Sequence, residues 1–541
     1  VPDRRLKVVL ALSAVIVAAA VAVALVLGSG DQPPATGAAR LVPADALIYV
    51  HLSTDVRRPA VKQAISLARR FPDFALLSGA IQLQLGALLG GPAGPVRRWL
   101  GREAAFALLN SDTATAGSLV VLDVSRPRLA RQFVAGSGAA ADGSYRGTAL
   151  LRYPSGTELA FVSHYLVAGQ TASVRSSIDA AARRQGSLDR SPAYQQAASD
   201  EPSDRVLDAY VSVAGVHRVL TPRNGLLGAL GALLDQPALI GVAMSLSAVP
   251  PGARVTVHGS LDPTLAKLSG PTPTPFEPTL PAAMPAQGAL LLDVSNLVQW
   301  APRVLGATAK AGVAGRVQPL FRRLGSALAA QGVDVNALTG VFSGEAAVAI
   351  SPSPASAAAP APARRRGKQR ARGPALVIVT RTRDEEATSS LLASLQGPLA
   401  QLFPPPASGP GQAPEFSDVP VDGITVHRFV LAPGLELDYA VFRGLVVLAT
   451  GLPAITGIVH STRALDSEPL YQAALGERPG QVTSLLFLDF SQLLRLGEQT
   501  GLVHGRRATA LLPDLERIRS IGLASTRGEA DTNAELFLQI P

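Results

Sequence analysis

The chain contains an internal repeat, and a repeat limits architecture more tightly than composition does. LVPADALIYVHLS, ending at Ser53, returns as MPAQGALLLDVS, ending at Ser295. GREAAFAL (101–108) returns as SGEAAVAI (343–350). Pro43 and Pro285 are 242 residues apart, and so are Glu103 and Glu345. Two landmarks in one register need no net insertion between them. Further on, LDRSPAYQQAA (188–198) meets LDSEPLYQAAL (465–475), which aligns Tyr194 with Tyr471. GSLVVLDV (117–124) meets PALVIVTR (374–381) at a larger offset. The Arg-rich stretch 351–374 supplies the difference, which makes it a loop grafted between two strands.

At 541 residues the chain exceeds one core, and two to four domains is the expectation. A hydrophobic fraction of 47% with 16% charge argues for folded, well-buried domains. There is no cysteine, which excludes disulfides, thiolate metal sites and cysteine nucleophiles. The net charge of +9 is concentrated rather than spread. Arg364, Arg365, Arg366, Lys368, Arg370 and Arg372 sit together with no acid among them, and Arg4, Arg5 and Lys7 precede an apolar run. The rest is nearly neutral, so no basic face for nucleic acid is expected.

Residues 8–27 carry no charge and only one weakly polar member, Ser13. As a helix this run is ~30 Å long, the thickness of a bilayer core. With its bases on the N-terminal side, it reads as an uncleaved single-pass signal anchor. The expected topology leaves residues 1–30 as cytoplasmic tip and anchor and places the remainder outside the cell. The rival reading is a cleaved secretory signal, whose apolar region is shorter.

Residues 31–40 form a polar tether. The first repeat is expected over 41–262 and the second over 285–541. Between them, 263–284 contains PTPTPFEP, an extended and stiff composition. Within each repeat strands and helices alternate. Residues 46–52, 206–213 and 484–490 are rich in strand-forming side chains, and 255–261 and 536–540 alternate with period two. Helical periodicity marks 126–134, 173–184, 298–311 and 387–395. Residues 148–168 and 425–449 carry neighbouring strands without helices, which predicts antiparallel hairpins. The predicted fold class is α+β: a transmembrane helix, then two tandem homologous domains, each a mainly antiparallel sheet with packed helices. The Pro/Gly-rich segment 404–418 reads as a second loop.

Chemistry-bearing motifs are sparse. The seven histidines show no helical metal spacing and no neighbouring acidic run in sequence, so His51, His258 and His427 read as strand positions. There is no G-x-S-x-G elbow, no phosphate-binding GxxxxGK[ST] loop and no dinucleotide fingerprint. No cofactor or metal is expected. Ser53, Ser125, Ser295 and Ser491 each follow a strand and precede a helical stretch, which predicts four N-caps. Glu103 and Glu345 occupy the same place in both copies. One equivalent acid per copy reads as a structural hydrogen bond or salt bridge, against a paired acid and base. Asp384, Glu385 and Glu386 suit a helix N-terminus.

The leading run, the opening LVPADALIYV (41–50), the GREAAFAL strand and its echo at 344–350 resemble the bacterial membrane-anchored proteins grouped as domain of unknown function 3352. The resemblance implies an extracytoplasmic protein and no catalytic residue. The expected function is therefore a non-catalytic binding or scaffolding module of the cell envelope. Its partners would be envelope proteins, and the Arg-rich segment would touch anionic lipid headgroups or wall polymers. Two alternatives remain: a carrier of lipid or another apolar ligand in a crease between the repeats, and a hydrolase using dispersed carboxylates and serines.

Overall fold

The computed structural model describes residues 33–74, 94–109, 117–222, 234, 236–268, 273–300, 339–351, 375–401, 415–432, 435–500 and 512–541. Ten strands come from the first half. They are β1 (Ile48–Ser53), β2 (Leu100–Leu109), β3 (Gly117–Val124), β4 (Ala140–Tyr145) and β5 (Thr148–Arg152), then β6 (Glu158–Val162), β7 (Tyr165–Gly169), β8 (Leu207–Ser212), β9 (Leu239–Val249) and β10 (Gly252–Leu261). Ten come from the second. They are β11 (Leu290–Ser295), β12 (Glu345–Ser351), β13 (Ala375–Arg381), β14 (Phe416–Val421) and β15 (Ile424–Ala432), then β16 (Leu435–Phe442), β17 (Leu445–Ala449), β18 (Ser484–Asp489), β19 (Ser520–Arg527) and β20 (Asp531–Gln539).

The pairing order is the same in both halves. In the first it runs β4-β5-β6-β7-β3-β2-β1-β8-β9-β10. In the second it runs β14-β15-β16-β17-β13-β12-β11-β18-β19-β20. Ser53 stands opposite Glu103, and Ser295 opposite Glu345. Every pair is antiparallel. The last strand of each half then pairs with the other: β10 lies against β20, with Val255 opposite Leu536 and His258 opposite Asn533.

That junction corrects the expected fold class. The prediction was two domains with a sheet each behind a transmembrane helix. The structure has one sheet of 20 strands. An edge strand left unpaired exposes a row of amide and carbonyl groups, and pairing the two edges removes both at once. Among the described residues no helix is long and apolar enough to cross a membrane. Residues 8–27, where the anchor was predicted, lie outside the described residues.

Helices cover the sheet where its strands turn apolar side chains outward. Val174 and Ile178 of Thr171–Ala181 pack with Tyr49, Ala105, Leu119 and Val121. Ile455 and Ile458 of Leu452–Val459 pack the corresponding surface with Leu291, Ala347, Val377 and Val379. On the opposite face Val50, Leu52 and Leu207 cluster near Leu246, and Val61 and Ile65 of Pro59–Ala68 lie against Leu246. Pro192–Ala197 packs on β9 and β10, and Pro469–Leu475 on β19 and β20. Gly522 permits the second contact: a Cβ there would collide with the Ala474 carbonyl.

The described parts of the stretch between the repeats, 263–268 and 273–284, carry local structure. Pro263–Leu268 is a helix, and Phe276 and Val482 exchange backbone hydrogen bonds at 2.8 and 2.9 Å. Phe416–Asp418, read as loop in the sequence, opens β14.

Candidate functional site

The first concentration of chemistry is a buried knot built by three adjacent strands. His51 on β1, Glu103 on β2 and Asp208 on β8 are each 2% exposed or less. His51 Nδ1 donates to Asp208 Oδ1 at 2.8 Å, and its Nε2 stands 3.3 Å from Glu103 Oε2. Arg205 Nε donates to Asp208 Oδ1 at 3.1 Å. Burial disfavours the imidazolium, but the charges of Asp208 and Glu103 outweigh it and raise His51 to about 10. Burial likewise works against the carboxylates, and His51 overcomes it, holding both Glu103 and Asp208 below the ordinary range.

Glu103 also reaches upstream. Its carboxylate accepts from the Gly37 amide at 3.0 Å, the Ala38 amide at 3.1 Å and the Tyr165 hydroxyl at 2.5 Å. Gly37 fits beside that hydroxyl because it has no Cβ. In the second half Glu345 accepts from the amides of Thr279 and Leu280 at 2.5 and 2.7 Å, and from the Thr279 hydroxyl at 2.5 Å. Each glutamate thus ties down the segment leading into the opening strand of its own half. Asp293 takes the place of His51 there. Burial and then the charge of Glu345 raise its carboxyl well above the usual range, so it sits neutral.

His51 is a strand position, as read from the sequence, and the sheet adds partners to it. No acidic run lies beside it in sequence, yet the sheet brings two carboxylates to it from 52 and 157 residues away. The serine caps are corrected. The Ser53 and Ser295 hydroxyls are buried and have no hydrogen-bond partner among the described residues. Ser125 donates to the Trp99 and Leu100 carbonyls, and Ser491 donates to Asp489 Oδ1. Asp489 performs the expected capping, accepting from the Gln492 amide at 3.0 Å. Asp384 accepts from the Ala387 amide at 2.9 Å, as an N-cap does.

The second concentration is a groove along the β10–β20 junction. One end, about 250 Å³, includes Arg254, Gln472, Glu477, Arg478 and Phe537. The other, about 190 Å³, includes Asp200, Glu201, Ser245, Thr256, His258 and Asn533. Pro479, Ala524 and Glu535 line both ends. Arg254 bridges the halves, with Nε 2.7 Å from Glu535 and Nη2 2.7 Å from Glu477. Alternation along β10 presents Arg254, Thr256 and His258 to the groove. Sequence reasoning missed this site because its partners are far apart in the chain, 223 positions for Arg254 and Glu477 and 275 for His258 and Asn533.

Among the described residues no group of three or more His, Asp or Glu side chains is arranged so that it could hold a metal ion. Arg364, Arg365, Arg366, Lys368, Arg370 and Arg372 lie outside the described residues.

The model of the family described as "Protein of unknown function (DUF3352)" matches residues 95–540. The chain belongs to the DUF3352 family. In this DUF3352 chain the match takes in both sides of the β10–β20 junction and every groove residue. A search of curated proteins gives no match. Among solved structures, crystal forms III and IV of TP0453 match at 12% identity and a TM-score of 0.25, covering 42% of this chain and 83% of theirs. Crystal form I matches at 11% identity and a TM-score of 0.26, with 79% of that chain covered. Likeness at that level carries no argument about DUF3352 function.

Proposed function

We propose that this chain is a non-catalytic binding or scaffolding module of the bacterial cell envelope, attached to the membrane by its leading apolar run, and that it meets its ligand in the central groove. One observation carries the reading: the groove floor is the β10–β20 junction, so side chains of both halves line one concave surface. Concave sites at such junctions are where ligands bind most often. The His51 knot supports the non-catalytic part. It has the residue types of an acid–base site but is buried, and its charges neutralise one another. The Arg-rich segment is assigned to contact with anionic lipid headgroups or wall polymers.

The groove lining favours a polar occupant over the apolar ligand of the carrier reading. A lipid chain laid there would strip water from Asp200, His258, Arg254 and Glu477 without replacing the lost hydrogen bonds.

Photo-crosslinking in cells tests this. A crosslinker at Thr256 should capture a defined envelope component, and one at Val430, 46% exposed and remote from the groove, should not. Substrate turnover by the purified chain, abolished by a Thr256→Trp substitution, would replace a binding module with an enzyme.

A further inference from the structure

We infer that the second-half end of the groove receives the C-terminal carboxylate of a partner peptide whose last side chain is apolar. The inference rests on the groove reading above and names the ligand class. Arg478 provides the main argument. It lines the cavity of about 250 Å³, is partly buried, and its Nε lies buried without a hydrogen-bond partner. The two carboxylates at this end, Glu477 and Glu535, both turn to Arg254, at 2.7 Å each, and neither forms an ion pair with Arg478. A half-buried guanidinium without a counter-ion is costly, and a carboxylate offers two acceptor oxygens to its planar donors.

The repeat supplies an independent comparison. LDRSPAYQQAASDEP (188–202) aligns with LDSEPLYQAALGERP (465–479), which puts Arg478 in the place of Glu201. Glu201 is neutralised within its own half: Arg205, four residues on, holds it at 2.9 Å. The same spacing after Arg478 reaches Val482, a buried apolar residue whose backbone bonds to Phe276. The first half therefore closes its charge internally at this position, and the second half presents a cation to the groove.

The rest of this end selects what the carboxylate is attached to. Val249, Pro250, Pro251, Leu475, Pro479 and Phe537 wall the cavity with apolar surface. Such walls suit the last side chain of a peptide, laid beside the carboxylate that Arg478 holds. A phosphate would leave most of its oxygens against these walls without donors. Glu477 is 86% exposed at this end and is the nearest repulsive charge in sequence to Arg478. Removing it should therefore favour the ligand.

Calorimetric titration of the full chain with the peptide acetyl-Ala-Ala-Leu, its C-terminus free, at low salt tests the inference. Saturable binding is expected, about tenfold weaker for the C-terminal amide of the same peptide and about tenfold weaker for Arg478→Gln. Glu477→Gln should strengthen it about twofold. Should Arg478→Gln fail to fold, Ala473→Trp serves instead: Ala473 is exposed and lines the cavity, so the indole fills it and should abolish binding. Equal affinity for acid and amide, or binding unaltered by Arg478→Gln and Ala473→Trp, overturns the inference. So does octanoate that binds more tightly than the peptide and depends on Arg478, which assigns the carboxylate to a lipid. If the peptide fails to bind while the Thr256 crosslinker still captures a component, the ligand class is wrong and the groove reading survives. If both fail, both fall.

Discussion

His51 and Asp293 occupy the same position on equivalent strands, and each lies beside the equivalent glutamate of its half in an opposite charge state. His51 is a buried cation between Glu103 and Asp208. Asp293 is a buried neutral acid beside Glu345, and Leu485 stands opposite it where Asp208 stands opposite His51. The first half therefore uses a charged triad, and the second a neutral buried acid whose carboxyl oxygens meet no hydrogen-bond partner among the described residues. His51→Gln should cost about 3–5 kcal/mol, because two buried carboxylates lose their cation. Asp293→Asn, which keeps the neutral shape, should change stability by less than about 1 kcal/mol. Urea midpoints at pH 7 check the contrast, and equal losses from the two substitutions would remove it.

The same pair predicts a pH dependence. The folded-state pKa of His51, about 10, lies above the ordinary 6.5. Its contribution is complete below about 6.5 and is lost as pH rises through about 10. The shares of Glu103 and Asp208 have the other sign: they are present above the usual carboxylate range and are lost as pH falls through their depressed values. The stability gap between wild type and His51→Gln should therefore be widest near pH 6 and narrow towards pH 10. A gap constant across that window would show that His51 is not the charged member.

Much of this fold was legible in the sequence, for reasons that also explain the failures. The repeat located Glu103 and Glu345 in one register, because matched strands conserve spacing. Period-two alternation located β10 and β20, and apolar runs located β1 and β18. What strand patterns do not carry is the partner of an edge strand. Nothing in Val255–Leu261 says that it pairs with Leu536, so two sheets were expected where there is one. The groove and the His51 knot were hidden for the same reason, since both are assembled by pairing between distant strands. Serine after a strand is an ambiguous signal. Ser491 shows why: Asp489, two residues earlier, reaches the helix amide instead.

Glu103→Gln and Glu345→Gln test the tie between each glutamate and its lead-in segment. Each substitution removes the charge that the segment's amides solvate, and charged hydrogen bonds of this kind contribute about 1.5–3 kcal/mol. Amide exchange should quicken locally, at Gly37 and Ala38 in the first variant and at Thr279 and Leu280 in the second. Quickening at both segments in each variant would mean general destabilisation rather than a local tie.

Gly522→Val tests the packing of Pro469–Leu475 on β19. The added side chain meets the Ala474 carbonyl, so the helix must lift. A loss of about 1–3 kcal/mol is expected, from overpacking. Groove binding should weaken with it, because Glu477 and Pro479 follow that helix directly. Unchanged melting would show that the helix is not seated as described.

The direct test of the account is the junction itself. The chain has no cysteine, so a Val257→Cys/Ala534→Cys pair reports on β10 and β20 alone. Under mild oxidation the account predicts a rapid crosslink within one chain, and none for the out-of-register pair Val257→Cys/Leu538→Cys. Crosslinks mainly between chains, or equal yields from the two pairs, would contradict a single sheet running through both halves.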